Sequence, residues 1–431
     1  MSASHNVNEK RLQLQQKQQN RVKTICLTMI VKNESKNMVR CLDSLKSIID
    51  FALIVDTGST DNTVEIIEKW FVDNNIKGKV EHEPFKNFGY NRTDAVRRAQ
   101  KTWSQADYLL LSDADFIWNI SKQFNKKLLF DHKYLVVQRH KELVYSNIRM
   151  LSAKIEWICH SATHEFFQED TGKCAGIEIR SHLLKSLEIC DMEDGGCKDL
   201  KFIRDEQLLL EQLAIPDLSK ELKSRSYFYL AQTYKCLQRY EESIDYYKKR
   251  VAMGLWQEET FYSMYQIGIC YQSLYSVYKT LIEISVKDEK VEWETQFIEK
   301  WNKDNLDIDA LTVKKQECLD AALLWYIDGW KFRPSRAESL YQATSLAREV
   351  GLHQQAYDYT IDGIKIPFSS DSLFLEANAY KRYSWMYERS IVCYYLNKHE
   401  EGNAACEEIL DDNDAPDYMH RMAVENSKFY I

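Results

Sequence analysis

The chain has 431 residues and a formal net charge of −8, and 45% of its residues are hydrophobic. These values are ordinary for a soluble globular protein of two or three domains, and the acidic balance excludes the basic surface of a nucleic-acid-binding protein. No run of about 18 apolar residues occurs, so we expect no membrane span. The 11 cysteines show no paired spacing, which indicates free thiols in a reducing, cytoplasmic compartment.

The first part of the chain alternates strand-like and helix-like segments. Residues 1–21 are polar and lack the apolar core of a signal peptide, so we interpret them as an N-terminal extension. Residues 25–30 and 52–55 are short apolar runs typical of buried strands, and each is followed by a segment with the apolar spacing of a helix. This rhythm predicts an α/β domain with a mostly parallel sheet.

The stretch YLLLSDAD at residues 108–115 is an apolar run that ends in Asp113 and Asp115. Open α/β sheets bind their ligands where the strands end, and two neighbouring carboxylates repel each other unless a cation lies between them. This pattern indicates a divalent metal that carries a phosphate-bearing substrate. The alternative is a strand that ends in a common aspartate turn or helix cap.

A similar choice exists for DTGSTDNT at residues 56–63. Gly58 permits a tight turn, and residues 59–61 are all competent helix N-caps. The functional hypothesis is that Asp56, at the end of a buried strand, accepts a hydrogen bond from the edge of a nucleobase. Helix capping explains the three cap residues but not the aspartate that directly follows the strand.

Four motifs occur in order along this region, namely MIVKNE, IVDTGSTDNT, GYNRTDAVRRA and LLLSDAD. Together they resemble the inverting family 2 glycosyltransferases with a GT-A fold, over roughly residues 22–167. The resemblance implies metal-assisted transfer of a sugar from a nucleotide-sugar donor, UDP-linked, to a protein or glycan acceptor. The family's QxxRW motif is absent, so a processive polysaccharide synthase is not expected.

The resemblance also implies roles for individual residues. Asp115 would bind Mn²⁺ or Mg²⁺ through the donor diphosphate, and Asp113 would contact the ribose or sugar. Asp56 would pair with the base. Thr28 and Glu34 would line the nucleoside pocket. Asn91 and Arg92 would face the sugar-diphosphate part of the donor.

The pair His164–Glu165 follows the DxD motif and resembles a pair found in many members of this subgroup. Imidazole suits Mn²⁺ better than Mg²⁺, so His164 is a candidate metal ligand. Glu165 is a candidate general base for the acceptor hydroxyl. Strand alternation would place the two side chains on opposite faces, and a purely structural role for the pair carries equal weight.

Asp191 and Asp194 are rival candidates for the base, because the family's catalytic carboxylate lies C-terminal to the DxD motif. Both belong to an acidic, glycine-containing stretch that precedes a helical segment. Lys201 and Arg204 follow it, and we predict that they pair with phosphate oxygens. The sequence leaves the choice among the three carboxylates open.

Beyond Pro216 the chain is poor in glycine, rich in tyrosine and helical in pattern. Four partial tetratricopeptide (TPR) repeats begin near Tyr227, Met264, Leu340 and Val392, and residues 276–318 are a charged insertion. Small residues at such repeats let neighbouring helices approach closely. We therefore predict a GT-A domain at 22–216 and a TPR-like helical domain at 217–431.

The second half also resembles the TPR tail of a subgroup of these glycosyltransferases. Such a tail would bind a protein acceptor, form a homodimer or only support the catalytic domain. The main hypothesis is therefore an active glycosyltransferase. The alternative is a catalytically inactive scaffold that acts through its repeats, and an intact DxD motif and Asp56 count against it.

Overall fold

The computed structural model describes residues 21–141, 143–195, 201–302, 304–368 and 376–430. The chain divides into two compact units between Ile215 and Pro216. The first unit contains strands and helices and the second contains helices, which confirms the predicted fold class. Apart from Arg21, the predicted N-terminal extension lies outside the described residues.

The described part of the first unit has ten strands and four helices. The strands are β1 (Ile25–Val31), β2 (Phe51–Asp56), β3 (Lys77–His82), β4 (Tyr108–Leu111), β5 (Phe116–Ile120), β6 (Lys133–His140), β7 (Leu143–Ser152), β8 (Trp157–His160), β9 (Phe166–Glu169) and β10 (Ser181–Asp191). The helices are α1 (Met38–Leu45), α2 (Thr63–Asp73), α3 (Phe88–Thr102) and α4 (Lys201–Leu213).

Eight strands form one mixed sheet in the order β3-β2-β1-β4-β7-β6-β10-β5. The first four strands are parallel to one another, β7 is antiparallel to both β4 and β6, and β5 is antiparallel to β10. Strands β8 and β9 form a separate two-stranded sheet. Because β1, β2 and β4 are parallel neighbours, their carboxyl ends lie along one edge of the sheet.

Both faces of β1, β2 and β4 are buried, which explains their nearly continuous apolar sequences, whereas the edge strand β3 is polar and partly exposed. One face packs against α1 and α2 through side chains such as Leu42 and Ile67. The other face packs against α3 and the β8 region through Val96, Ala99 and Trp157. The site-forming edge is therefore supported by hydrophobic cores on both sides of the sheet.

The described part of the second unit has ten α-helices. They are α5 (Lys220–Cys236), α6 (Tyr240–Met253), α7 (Gln257–Ser285), α8 (Glu292–Trp301), α9 (Ile308–Phe332), α10 (Glu338–Glu349), α11 (His353–Gly363), α12 (Arg382–Tyr395), α13 (His399–Asp411) and α14 (Asp417–Ser427). The four predicted repeats fall on the packed pairs α5/α6, α7/α9, α10/α11 and α12/α13. No helix among the described residues is long and apolar enough to cross a membrane.

The predicted insertion at residues 276–318 is largely helical. It consists of the C-terminal end of α7, the short helix α8 and the N-terminal part of α9. Side chains of α8 such as Phe297 and Trp301 pack on the same hydrophobic cluster as α7. The extra length is therefore an elongated helix pair rather than a solvated loop.

Gly268 is a position at which α7 and α9 approach tightly. A Cβ atom at this position would lie 2.5 Å from the ring of Tyr326, which is fully buried and hydrogen-bonded to Gln272. The ring therefore has no free space into which it can move. This contact explains why a small residue occurs at this position of the repeat, because only glycine leaves room for the Tyr326 ring.

We predict that Gly268→Val lowers the free energy of unfolding by about 1–3 kcal/mol, because the added side chain overpacks the α7/α9 interface. Urea denaturation followed by tryptophan fluorescence measures the change. Lys279→Val, at an exposed position of the same helix, is the matched control and should change stability by less than about 1 kcal/mol. Equal effects of the two variants would contradict the predicted packing.

Candidate active site

A cavity of about 400 Å³ opens at the carboxyl edge of β1 and β4. Its walls come from the ends of these strands, the loop after β2, the first turns of α3 and α4, and the residues around the DxD motif. Five predicted site residues, Glu34, Arg92, Asp113, Asp115 and Arg204, line it together. The other lining residues are Ile30, Val31, Lys32, Thr57, Phe85, Phe88 and Ala114.

Asp113 is neutralised by two arginines. Arg92 Nη2 lies 2.5 Å from Asp113 Oδ1, and Arg149 Nη1 lies 3.2 Å from Asp113 Oδ2. Burial alone would raise the pKa of Asp113, but the two guanidiniums outweigh it and hold the pKa below its usual value. Asp113 therefore remains a carboxylate whose charge is already balanced by the protein.

Asp115 is in the opposite situation. Burial raises its pKa to about 6, and the negative charges of Asp113, Asp191 and Glu34 add to this shift. A Cβ atom on Gly195 would lie 3.2 Å from a Glu34 carboxylate oxygen and 3.3 Å from an Asp115 carboxylate oxygen, so both acids face the same small space. A cation placed there would relieve the repulsion among them.

The residues fit a metal ion that is shared with a substrate, but they do not fit one held by protein alone. No group of three potential ligands with metal-binding geometry occurs within the described ranges. Mg²⁺ and similar hard cations are commonly held by one or two carboxylates together with substrate phosphates. Asp115 supplies such a carboxylate, whereas the oxygens of Asp113 are occupied by arginines.

A hydrogen-bonded chain extends from Asp113 to Asp191. Arg149 Nη2 donates to Gln138 Oε1 at 2.9 Å, and Gln138 Nε2 donates to Asp191 Oδ2 at 2.8 Å. The other Asp191 oxygen accepts from the backbone N–H of Glu193 at 3.0 Å. Asp191 is therefore held by neutral donors at the end of β10, close enough to Asp115 to shift its pKa.

The two other candidate bases are paired with arginines. Glu165 Oε1 accepts from Arg92 Nε at 2.7 Å. Asp194 receives both terminal nitrogens of Arg40, at 2.7 and 2.8 Å. Each of these two carboxylates is therefore already engaged by a guanidinium.

The predicted strand alternation at His164 and Glu165 is wrong. Strand β8 ends at His160 and β9 begins at Phe166, so both residues lie in the connecting turn, where His164 has a φ of 52°. A turn imposes no two-residue alternation, so the faces of the two side chains are independent. His164 is not among the residues that line the cavity, and its metal role stays a prediction.

Residues 26–141 match the family model described as Glycosyl transferase family 2. Over these residues the chain matches this family, as its motifs predicted. The SPbeta prophage-derived glycosyltransferase SunS of Bacillus subtilis (strain 168) is 36% identical over 97 residues, which are 22% of this chain and 21% of SunS. An uncharacterized glycosyltransferase of Rickettsia conorii is 30% identical over 118 residues, which are 26% of this chain and 34% of that protein.

The chain thus spans between about a fifth and a third of the length of these relatives. Among solved structures, S. aureus TarS in complex with UDP-GlcNAc has 13% identity and a TM-score of 0.29, covering 57% of this chain and 81% of that one. A thermophilic TPR protein of Thermus thermophilus has 14% identity and a TM-score of 0.29, covering 53% and 89%.

Three predicted donor-binding residues are buried and are not among the residues that line the cavity. The Asp56 carboxylate accepts from the backbone N–H groups of Gly58 and Ser59 at 3.1 Å and lies 3.3 Å from a His82 ring nitrogen. Asn91 is fully buried, and its amide bonds to the backbone of residues 84 and 86. Thr28 is buried on β1 and lines a separate small cavity.

The two predicted phosphate-binding residues are placed differently on α4. Arg204 lines the cavity, and its guanidinium lies 5.3 Å from the ring centroid of Phe88. Lys201 is the first residue of the helix and is exposed, away from the residues that line the cavity. Only Arg204 is therefore positioned at the wall of the cavity.

Sequence reasoning missed Arg149, Gln138 and the two wall phenylalanines, Phe85 and Phe88. Arg149 lies on β7, and its guanidinium packs 4.6 Å from the ring centroid of Phe116, which holds it against the DxD segment. The available signal was a single arginine in the otherwise uncharged strand sequence LVYSNIRMLS. None of the four motifs includes that position, so the motifs did not predict a role for Arg149.

The two aspartates of the DxD motif should affect stability in opposite directions. Because folding raises the pKa of Asp115, the ionised carboxylate lowers the free energy of unfolding. This cost is absent below the unfolded-state pKa near 4, where the group is protonated in both states, and it is complete above about 6. We predict that Asp115→Asn raises the free energy of unfolding by about 1–2 kcal/mol at pH 7.5, after allowance for partial exposure, and leaves it unchanged near pH 4.

Asp113→Asn is the matched comparison, and we expect a loss of about 3 kcal/mol at pH 7.5, because it removes the carboxylate that two largely buried arginines share and leaves only Glu165 to balance Arg92. Urea denaturation of both variants at the two pH values provides the measurement. Destabilisation by both substitutions at pH 7.5 would contradict the charge distribution described for this site.

Proposed function

We propose that this protein is an inverting glycosyltransferase that uses a UDP-sugar and transfers the sugar to a protein or glycan acceptor. The observation that carries the proposal is the unequal state of the two aspartates within a family 2 domain. Asp113 is balanced by Arg92 and Arg149, whereas Asp115 has a pKa near 6 and faces other acids. Such a carboxylate is suited to a cation that arrives with a diphosphate.

The cavity has a size and chemistry that support donor binding. Its volume of about 400 Å³ lies within the usual range for small-molecule sites. Phe85 and Phe88 offer apolar surface for a nucleoside, and Arg92 and Arg204 offer positive charge for phosphate oxygens. Glu34 lines the same cavity. We propose that Asp56 pairs with the base and that Thr28 contributes to nucleoside binding.

Asp115 is the proposed ligand of Mn²⁺ or Mg²⁺, and His164 is a candidate second ligand. A bound divalent cation neutralises the charge that develops on the departing diphosphate. Arg92 and Arg204, which line the same cavity as Asp115, would share this task. We assign Asn91 to positioning, since its amide holds the backbone of residues 84–86 that leads into α3.

Asp191 is the carboxylate that we favour as the general base. It lies near Asp115 and is held by neutral donors, whereas Glu165 and Asp194 are each paired with an arginine. In the proposed reaction, the acceptor hydroxyl oxygen bonds to the anomeric carbon of the donor sugar while the bond from that carbon to the diphosphate oxygen breaks. The hydroxyl proton passes to Asp191, and the nucleoside diphosphate leaves with both electrons of the broken bond.

Calorimetric titration of UDP into the full chain tests donor binding. We expect Mn²⁺ to tighten UDP binding at least tenfold in the unaltered protein and to have no such effect in Asp115→Ala, which lacks the cation's carboxylate. Asp73→Ala, an exposed aspartate on α2, is the control and should behave like the unaltered protein. Absence of UDP binding both with and without Mn²⁺ would contradict the proposal and favour the catalytically inactive scaffold.

Turnover measurements distinguish the three candidate bases. We expect Asp191→Asn to lower the rate of UDP-sugar hydrolysis, measured as released UDP, by about 10²–10⁴-fold, because general-base catalysis contributes gains of that size. The affinity for UDP should change less than threefold. Asp194→Asn and Glu165→Gln should have smaller effects on the rate. A larger rate loss for Glu165→Gln than for Asp191→Asn would transfer the role to Glu165.

A further inference from the structure

Strand β7 has a free edge next to the candidate site. Its pairing with β6 runs from residue 143 to residue 151, but its pairing with β4 covers only residues 150–152. Strand β4 ends at Leu111, where the chain turns into the DxD segment. Within the described ranges, no strand pairs with residues 143–148 on the side away from β6.

The hairpin geometry determines which backbone groups lie on this edge. His140 and Leu143 are paired, so two residues connect β6 to β7. In such a hairpin the closing pair exchanges both backbone hydrogen bonds, and bonded pairs then alternate along the strands. Val144, Ser146 and Ile148 therefore direct their N–H and C=O groups away from β6. Consistent with this, the Ile148 N–H donates to the Asn147 side chain at 2.9 Å.

The side chains on this edge are apolar and exposed. Leu143, Val144 and Tyr145 are 59%, 50% and 38% exposed. Proteins usually protect an edge strand with lysine, proline or a covering element, because its open backbone groups pair readily with another chain. The segment LVYSNI contains neither residue type. An unprotected apolar edge at this position is therefore suited to pairing.

The edge is continuous with the site. Burial and the charge of Asp191 raise the pKa of the Tyr145 hydroxyl, and Arg149 opposes the shift, so this side chain lies within electrostatic reach of the candidate base. Arg149, four residues further along β7, bonds to Asp113. Each strand residue advances about 3.3 Å, so a segment paired with β7 would reach the DxD motif within a few residues.

We propose that the free edge of β7 binds the acceptor as an extended polypeptide, which adds a strand to the sheet and presents a serine or threonine hydroxyl to Asp191. This inference rests on the proposed function and specifies its acceptor. Alternating N–H and C=O groups are complementary to an extended peptide backbone, and the exposed apolar side chains provide contacts for alternate residues. A glycan has no such backbone and cannot form this ladder.

The experiment starts with a randomised dodecapeptide library displayed on phage and panned against the full chain. A selected peptide is then synthesised with single N-methyl groups along its length. We expect its affinity to fall at least tenfold at every second position, because only alternate amides bond to the edge. Failure to select a peptide, or an N-methyl pattern without this period, would overturn the inference.

A pair of protein variants tests the same edge from the other side. Ser146→Pro removes an N–H on the free side, where proline is tolerated, and should weaken peptide binding at least tenfold. Ser146→Val keeps the N–H and should bind within threefold of the unaltered chain. Equal peptide affinities for the two variants would overturn the inference, and circular dichroism verifies folding. If the proline variant does not fold, the N-methyl pattern alone decides.

Two further measurements separate the remaining explanations. Sedimentation of the unaltered chain without peptide detects pairing between two copies, and a dimer that is lost in Ser146→Pro would overturn the inference by assigning the edge to self-association. UDP binding by the unaltered chain is measured in parallel. Peptide pairing without UDP binding overturns the proposed function, whereas UDP binding without peptide pairing overturns only this inference.

Discussion

The bonds of Asp113 to Arg92 and Arg149 are the interactions on which the site depends. They join three elements that are distant in sequence, the end of β4, the first turns of α3 and the middle of β7. Each side chain is largely buried, so the loss of one partner leaves a charge that is only partly compensated in a poorly solvated place. The same bonds occupy the oxygens of Asp113, which leaves Asp115 as the aspartate of the motif that is available to a cation.

The charge distribution is also compatible with the anionic donor that we propose for this acidic protein. The acids near Asp115 repel one another, and this repulsion contributes to the raised pKa of that residue. Arg92 and Arg204 line the same cavity. In the proposed function, a site that is unfavourable when empty would become favourable when a cation and a diphosphate enter together, which is a common compromise between stability and activity.

Much of the site was predictable because it depends on parallel strands. Once residues 25–30, 52–55 and 108–111 are identified as neighbouring parallel strands, the acids that follow them must lie at one edge. The prediction of strand alternation at His164 and Glu165 was wrong because β8 ends before them. Arg149 was missed because it lies on an antiparallel strand, and the register of that strand depends on pairing with β4 and β6 rather than on local sequence.

The sequence by itself determined the local elements, the helical character of the second unit and the identity of the motif that ends in Asp113 and Asp115. These follow from periodicity and composition within short windows. Only the tertiary structure decided the partner of each carboxylate, since Asp113 meets Arg149 across 36 positions and Asp191 meets Gln138 across 53. A carboxylate's pKa and its capacity to act as ligand or base depend on such distant charges, and no local pattern encodes them.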